Sequence, residues 1–107
     1  MADARALYKE GFDHFVNDRP EQAIEAYRSS IEADPQLAIA WNGLAMVLAQ
    51  QGDLEGAIEA GRQLVALEPE EALAHTSLSM FYQRKGMIPE AEAEKAIALR
   101  LTMERRS

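Results

Sequence analysis

The sequence predicts an all-α protein, an α-solenoid built from three antiparallel helix hairpins. Two observations carry this prediction. Segments recur at a spacing of 34 residues, and within each unit apolar residues are spaced by three and four, as on one face of an amphipathic helix. The alternation of polar and apolar residues that marks a β-strand is absent. A chain of 107 residues suits one domain, predicted over residues 1–107.

The repeat is clearest in the segment Ala23-Ile24-Glu25-Ala26, which recurs 34 positions later as Ala57-Ile58-Glu59-Ala60. The same register runs through three units without a gap. One hairpin alone cannot bury its apolar face, so about three are needed for stability. The predicted repeats span about 4–37, 38–71 and 72–105.

Turn signals divide each unit into two helices. Gly52 suits the left-handed conformation that ends a helix, and Asp53 suits the cap of the next one. Gly86 repeats the glycine signal, whereas Asp18 stands at this position in the first unit, where we expect another turn geometry. Prolines forbid continuation of the second helices. The predicted helices lie at about 4–17, 21–33, 38–51, 55–67, 72–85 and 89–104.

Small residues occur where the two helices of a hairpin must approach closely. They are Gly11, Ala45 and Ser79 in the first helices, opposite Ala23, Ala57 and Ala91 in the second helices. Gly61 departs from the pattern, because the first unit carries Tyr27 at the corresponding position. We expect a bulky side chain to fill the resulting gap. The candidates are Trp41, Phe81 and Tyr82.

This pattern resembles the tetratricopeptide repeat (TPR), in which an aromatic, a leucine and a small residue precede an alanine, an aromatic, an alanine and a proline. The middle unit fits best, through Trp41, Leu44, Ala45, Ala57 and Pro69. The third unit has Met103 where a proline is usual. The resemblance covers about residues 4–104. It implies a right-handed superhelix whose concave surface, lined by the first helix of each hairpin, binds partner proteins.

Composition excludes several classes of partner and location. Asp and Glu number 18 against 11 Lys and Arg, a net charge of −7 that repels nucleic acid. The absence of cysteine removes disulfides and is compatible with a reducing compartment. Residues 1–5 contain no apolar run, and no apolar stretch of about 18 residues follows. We therefore predict a cytoplasmic protein without direct membrane insertion.

The residues that carry catalysis or ligand chemistry are scattered. His14 and His75 fall on the core stripe of first helices, where a structural role is expected. No cluster with metal-ligand spacing, glycine-rich phosphate loop or nucleophile motif occurs. Acidic pairs such as Glu70 and Glu71 suit helix starts. The sequence therefore predicts no enzyme, and no catalytic residue, cofactor or metal.

A second apolar stripe lies about 100° around each first helix from its core stripe. By the resemblance, this stripe lines a peptide-binding groove suited to a partner with an apolar or amphipathic segment. The predicted groove residues are Arg5, Tyr8, Phe12, Phe15, Ile39, Asn42, Met46, Leu73, Thr76, Met80 and Arg84. An alternative is that several of them, especially Phe15, pack against the second helix together with Val16.

Some TPR proteins hold the carboxylate end of a chaperone tail with a clamp of lysine, asparagine and arginine. By register, those positions carry Tyr8, Phe12, Gly43, Leu73 and Ser77. A carboxylate needs charge-assisted donors, and none of these residues is a cation. The sequence therefore disfavours a co-chaperone of that type.

Two functions follow from these observations. The first is a protein–protein interaction module, an adaptor or scaffold that binds an apolar peptide or helix in its groove. The second is a structural or assembly subunit that self-associates or docks onto a larger complex through its end faces. We expect the contact of such a homo-oligomer to involve Phe15, or Ile97 and Leu101 of the last helix; the alternative is that Ile97, Leu101 and Met103 pack inward.

Overall fold

The computed structural model describes residues 3–106, so positions 1, 2 and 107 of the predicted domain lie outside the described residues. The described chain is helical and contains no strand. Its six helices are α1 (Ala4–Val16), α2 (Pro20–Ala33), α3 (Ala38–Gln50), α4 (Leu54–Leu67), α5 (Ala72–Lys85) and α6 (Ile88–Arg106). All six predicted helices are confirmed, with ends displaced by no more than two residues.

Helices that follow each other in sequence pack as three hairpins, α1 with α2, α3 with α4, and α5 with α6. The hairpins stack through α2 against α3 and α4 against α5, and α1 also touches α3. The molecule measures 42 × 30 × 21 Å. This arrangement confirms the predicted solenoid of three hairpins, with the first helices α1, α3 and α5 on one side of the stack.

The glycine turns inside the second and third hairpins have the predicted geometry. Gly52 and Gly86 adopt positive φ angles of 82° and 86°, which cost little without a Cβ atom. The side chain of Asp53 then caps α4 by accepting a hydrogen bond of 2.9 Å from the backbone N–H of Gly56. A left-handed glycine therefore occurs in both turns, and in the second hairpin a capped helix start follows it.

The turn of the first hairpin contradicts the expectation of another geometry. Asp18 itself adopts a left-handed φ of 59°, a conformation that Asp tolerates better than most residues. The following N–H, of Arg19, donates to the carbonyl of His14 at 2.8 Å, as Asp53 N–H donates to Leu48 at 2.9 Å. The expectation was wrong because the hydrogen-bonded turn requires the left-handed conformation whichever residue occupies the position.

Small residues do lie where the helices of a hairpin meet. Ala45 and Ala57 are both buried. In the third hairpin the hydroxyl of Ser79 donates a hydrogen bond of 2.7 Å to the carbonyl of Ala91. This hydroxyl is satisfied by a backbone acceptor on the facing helix, so a polar residue is tolerated in the core.

The largest side chain of the core, Tyr27, lies between two glycines. A Cβ atom added to Gly11 would come within 2.6 Å of the Tyr27 ring, and one added to Gly43 within 2.7 Å. The ring is only 2% exposed. Tyr27 of α2 therefore fills the space that glycines on α1 and α3 leave open, and it joins the first hairpin to the second.

Gly61, which replaces this tyrosine in the second repeat, faces α5. A Cβ atom at Gly61 would lie 3.2 Å from Leu78 Cδ1 and 3.4 Å from Phe81 Cδ2. Phe81, one of the three expected candidates, is fully buried there. Leu78 was not among the candidates, and Trp41 instead donates its indole N–H to the carbonyl of Pro35 at 2.8 Å. At the junction of the first two hairpins the bulky side chain belongs to the second helix, α2. At this junction it belongs instead to α5, the first helix of the third hairpin.

We predict that substitution by alanine lowers the stability of the fold at Gly11 and not at Gly61. Either substitution improves helix propensity by about 1 kcal/mol. Gly11→Ala must displace the enclosed Tyr27 ring, and overpacking of this kind costs about 1–3 kcal/mol. Gly61→Ala needs only a small shift of the Leu78 methyl group. Urea unfolding should show Gly11→Ala as the less stable variant, and the reverse order would contradict the packing described for Tyr27.

A second prediction concerns alkaline pH. Burial, with a smaller effect from Tyr8, raises the pKa of Tyr27 to about 12, above the value of about 10 for an unfolded tyrosine. The folded state therefore keeps a proton that the unfolded state loses. The resulting stability is complete below pH ~10 and falls by up to about 2–3 kcal/mol as pH rises to ~12.

The measurement is the free energy of unfolding across this pH range. The matched control is Tyr27→Phe, which keeps the ring and has no phenolic proton. Wild type should lose more stability than the variant between these two pH values. Parallel losses in both proteins would show that Tyr27 does not carry the effect.

Candidate functional site

The first helices of the three hairpins leave a row of mostly apolar side chains accessible to solvent, which we call the groove face. Phe12 of α1 is 49% exposed, Met46 of α3 is 38% exposed and Met80 of α5 is 47% exposed. The chain therefore does not cover these three side chains itself. The groove face comprises Tyr8, Phe12, Ile39, Asn42, Met46, Leu73, Thr76 and Met80.

On α1 the groove face is supported by the core beneath it. The rings of Tyr8 and Phe12 stack with centroids 6.4 Å apart. Tyr8 in turn lies 5.7 Å from the ring of Tyr27, and aromatic pairs at such distances attract each other. Phe12 is thus the exposed end of an aromatic row that begins in the core.

Two neighbouring apolar residues of α1 lie outside this row. Phe15 is half-buried and packs against the main hydrophobic core. Val16, at the end of the helix, is exposed. The structure therefore places Phe15 with the core, as the alternative interpretation of the sequence expects, and not beside Phe12.

Between α3 and α5 the groove face contains a hollow of about 290 Å³. Met46 and Leu73 line it, and Leu64 and Ala74 add apolar surface. Asn42 is half-buried at its wall, where an amide can both donate and accept hydrogen bonds. By contrast, the hydroxyl of Thr76 donates to the carbonyl of Ala72 in its own helix.

Charges of both signs border the groove face. Arg5, in the first turn of α1, and Arg84, in the last turn of α5, are exposed. Glu68 and Glu71 line the hollow on its α4–α5 side. Glu71 also lies 3.5 Å from the guanidinium of Arg105. Such an ion pair at the protein surface contributes little to stability. The hollow is therefore an apolar site with carboxylates at its edge.

Five residues of the hollow were not among the predicted groove residues. Leu64 and Glu68 belong to α4 and its cap, Glu71 caps α5, and Ala74 and Ser77 lie on α5. The prediction considered only the exposed stripe of the first helices. The end of a second helix reaches this face because the chain turns there from α4 into α5. Pro69 marks that turn, so it was the feature of the sequence that could have indicated these residues.

The two histidines have structural environments. His75 is buried, and its Nε2 lies 2.7 Å from the carbonyl of Pro69 while its Nδ1 lies 2.7 Å from the carboxylate of Glu94. Trp41 forms the corresponding bond to Pro35 one repeat earlier. His75 thus ties the turn before α5 to α6. The half-buried His14 leaves its Nδ1 without a hydrogen-bond partner among the described residues.

Residues 3–106 contain no group of three or more histidines, aspartates or glutamates placed to hold a metal ion. Within the same range no helix combines the length and the apolarity needed to cross a membrane.

The end face on α6 differs in its residues from the prediction. Leu101 is buried and Ile97 is half-buried against their own chain, because they lie on the side of α6 that packs against α5. Leu101 is therefore covered by its own chain, and Ile97 is only partly accessible to a second chain. The exposed apolar side chains of this helix are Leu99 and Met103.

We predict that the bond between His75 and α6 contributes measurably to stability. Glu94→Ala leaves one nitrogen of a buried imidazole without its partner, at a cost of about 1–3 kcal/mol. Glu59→Ala, at an exposed helical glutamate, is the control and should change stability by no more than about 0.5 kcal/mol. Equal effects in urea unfolding would argue against the role of Glu94.

Comparison with protein families and solved structures is consistent with this architecture. The sequence profile described as tetratricopeptide repeat matches residues 8–72. No curated protein sequence matches the chain. Among solved structures, MamA superposes with a TM-score of 0.93 at 28% identity, covering 97% of this chain and 61% of that one. The chain thus spans less than two thirds of the length of MamA.

Two further structures share the fold at lower identity. The second TPR of Spaghetti (RPAP3), bound to the HSP90 peptide SRMEEVD, gives a TM-score of 0.87 at 24% identity and covers 92% of both chains. A CopN–Scc3 complex gives a TM-score of 0.87 at 19% identity, covering 92% of this chain and 58% of that one.

Proposed function

The chain belongs to the tetratricopeptide repeat family, and we propose that its groove face binds the apolar side of an amphipathic helix or peptide from a partner protein. The observation that carries this proposal is the exposure of Phe12, Met46 and Met80 on three successive first helices. Exposed apolar side chains that form a continuous surface mark interaction sites in soluble proteins. The protein then acts as an adaptor or scaffold without catalytic activity of its own.

The residue types on the groove face favour an apolar occupant. Burial of apolar surface contributes about 25 cal/mol per Å², so the aromatic and methionine side chains gain most from a partner of the same character. Methionine also adapts its shape to different side chains. A helix with apolar residues at i, i+3, i+4 and i+7 presents a matching stripe.

The hollow lined by Met46 and Leu73 supplies an anchoring point within this surface. Its volume of about 290 Å³ accommodates one large apolar side chain of the partner. Glu68 and Glu71 at the edge favour a lysine or arginine next to that side chain, because opposite charges at a rim improve complementarity. The proposed occupant is therefore an amphipathic segment with a basic residue beside its apolar anchor.

The second TPR of Spaghetti is bound to the HSP90 peptide SRMEEVD, so a domain of this fold can hold a peptide, and the chemistry of that peptide differs from that of the proposed partner. The family's carboxylate-clamp positions here carry Tyr8, Phe12, Gly43, Leu73 and Ser77. None of them carries a positive charge to pair with a terminal carboxylate. We therefore propose an internal amphipathic segment as the partner and not an acidic tail.

The test is selection of peptides from a random displayed library against the purified chain. Enriched sequences should carry apolar residues at helical spacing with a flanking lysine or arginine. Phe12→Asp or Met46→Asp should weaken binding of a selected peptide at least about tenfold, since each places a charge in the apolar interface. Ile88→Asp is the matched control, an exposed apolar residue on α6, and should bind as wild type does.

Circular dichroism and thermal unfolding establish that both groove variants remain folded, as expected for substitutions at exposed positions. If both variants are folded and bind the peptide as strongly as wild type does, the groove face is not the binding site. The cytoplasmic location stays a prediction from the sequence.

A further inference from the structure

Helix α6 carries a second exposed stripe besides the face that packs against α5. Its inward face contains the buried residues Ala91, Ala98 and Leu101. About 100° around the helix, five exposed residues follow each other at intervals of four, three, four and three. They are Glu92, Ala96, Leu99, Met103 and Arg106. This spacing is that of a seam between two helices packed side by side.

The repeat register explains why an apolar residue stands at the centre of this stripe. Leu99 corresponds to Val65 and to Ile31, at intervals of 34 residues. Ile31 packs against the cluster formed by Ala4 of α1, Leu37 at the N-cap of α3, and Ala40 of α3, and Val65 packs against the main core. Leu99 is 61% exposed. Leu99 thus stands at a position whose equivalents in the earlier repeats pack against the rest of the chain.

The opposite end of the molecule does not offer the complementary surface. The residues that cover the first hairpin include Leu37 at the N-cap of α3 and Leu44 within α3, both buried. The corresponding positions at the start of the chain carry Asp3 and Glu10, both exposed. A second copy stacked head to tail would place these carboxylates against Leu99, which costs desolvation without apolar gain. The covering surface has to come from elsewhere.

A second copy of α6 itself supplies a matching surface. Glu92 and Arg106 lie seven residues before and after Leu99. When two α6 helices cross antiparallel at Leu99, Glu92 of each copy lies opposite Arg106 of the other, and the apolar seam residues meet in the middle. A twofold contact brings the same patch of both subunits together. The opposite charges at the two ends of the stripe therefore attract each other between the copies only when the two helices run antiparallel.

We propose that the exposed stripe of α6 forms a symmetric, antiparallel contact with α6 of a second copy of this chain. Neighbouring charges are compatible with it, since Arg100 lies 3.7 Å from Glu104 of its own helix. One pair of helices makes a small interface, so the dimer is weak and depends on concentration. The groove face lies on α1, α3 and α5, so this proposal is independent of the proposed peptide binding.

The experiment is sedimentation equilibrium of the full chain over a series of concentrations. Wild type should show a reversible monomer–dimer equilibrium. Leu99→Glu should raise the dissociation constant at least about tenfold, because it places two carboxylates at the centre of the seam. Phe12→Asp, which alters only the groove face, is the control and should leave the dissociation constant unchanged.

Charge reversal tests the orientation of the helices. In the antiparallel dimer Glu92 of each copy faces Arg106 of the other. Either single variant, Glu92→Arg or Arg106→Glu, makes both of these pairs repulsive and should weaken the dimer about tenfold. The double variant restores opposite charges and should dimerise like wild type. An equimolar mixture of the two single variants should also associate, since each then faces its complement.

Three results would overturn the proposal. If the wild-type chain stays monomeric at every concentration, the stripe does not bind a second copy and is covered by a different protein or a further hairpin. A dimer that persists in Leu99→Glu uses another surface. A double charge variant as weak as the single ones excludes the antiparallel register.

Discussion

The contact between the ring of Tyr27 and the backbones of two neighbouring helices is the constraint on which the first half of the molecule depends. A Cβ atom at Gly11 or Gly43 would collide with this ring, so the close approach of α1 and α3 to the ring on α2 depends on the absence of a side chain at both positions. Tyr8 rests on the same ring and supports Phe12. The groove face on α1 thus takes its position from the core, because close-packed interiors transmit the placement of buried groups to the surface.

The next hairpin junction solves the same packing problem with the side chains exchanged. Gly61 provides the open space on α4, and Phe81 with Leu78 fills it from α5. Core volume is therefore retained although the bulky residue has moved to a different helix. Val47 and Phe81 point inward at equivalent repeat positions, and the preceding residues, Met46 and Met80, are exposed. Burial of one residue in each pair turns its neighbour toward the groove face.

Hydrogen bonds around the turns follow the repeat even where residue types differ. Trp41 and His75 each reach the carbonyl of the proline six residues earlier, so an indole and an imidazole perform the same task. His75 has a second nitrogen, and Glu94 of α6 satisfies it. The third hairpin is thereby tied together by a polar contact, because a buried nitrogen without a partner would be costly.

The secondary structure of this chain followed directly from local sequence. Helix existence, helix ends and the order of the hairpins depend on apolar spacing, caps and turn residues, all of which act over a few positions. The stripe containing Phe12, Met46 and Met80 was also predictable, since helical geometry and a gapless register assign those residues to one side of the first helices. Asp18 was the exception, because the turn it occupies is set by hydrogen bonds that close between two helices.

Tertiary structure decided which members of an apolar stripe remain accessible. Phe12 is exposed and Phe15, three residues later, packs against the core. Leu99 is exposed and Leu101, two residues later, is buried. The hollow beside Met46 is built from parts of three elements. Such differences depend on how closely the helices approach, which is set by the volumes of side chains far apart in sequence. The repeat pattern by itself determined the helices and their pairing; the distances between them, and therefore the shape of the available surface, were determined only when the side chains packed.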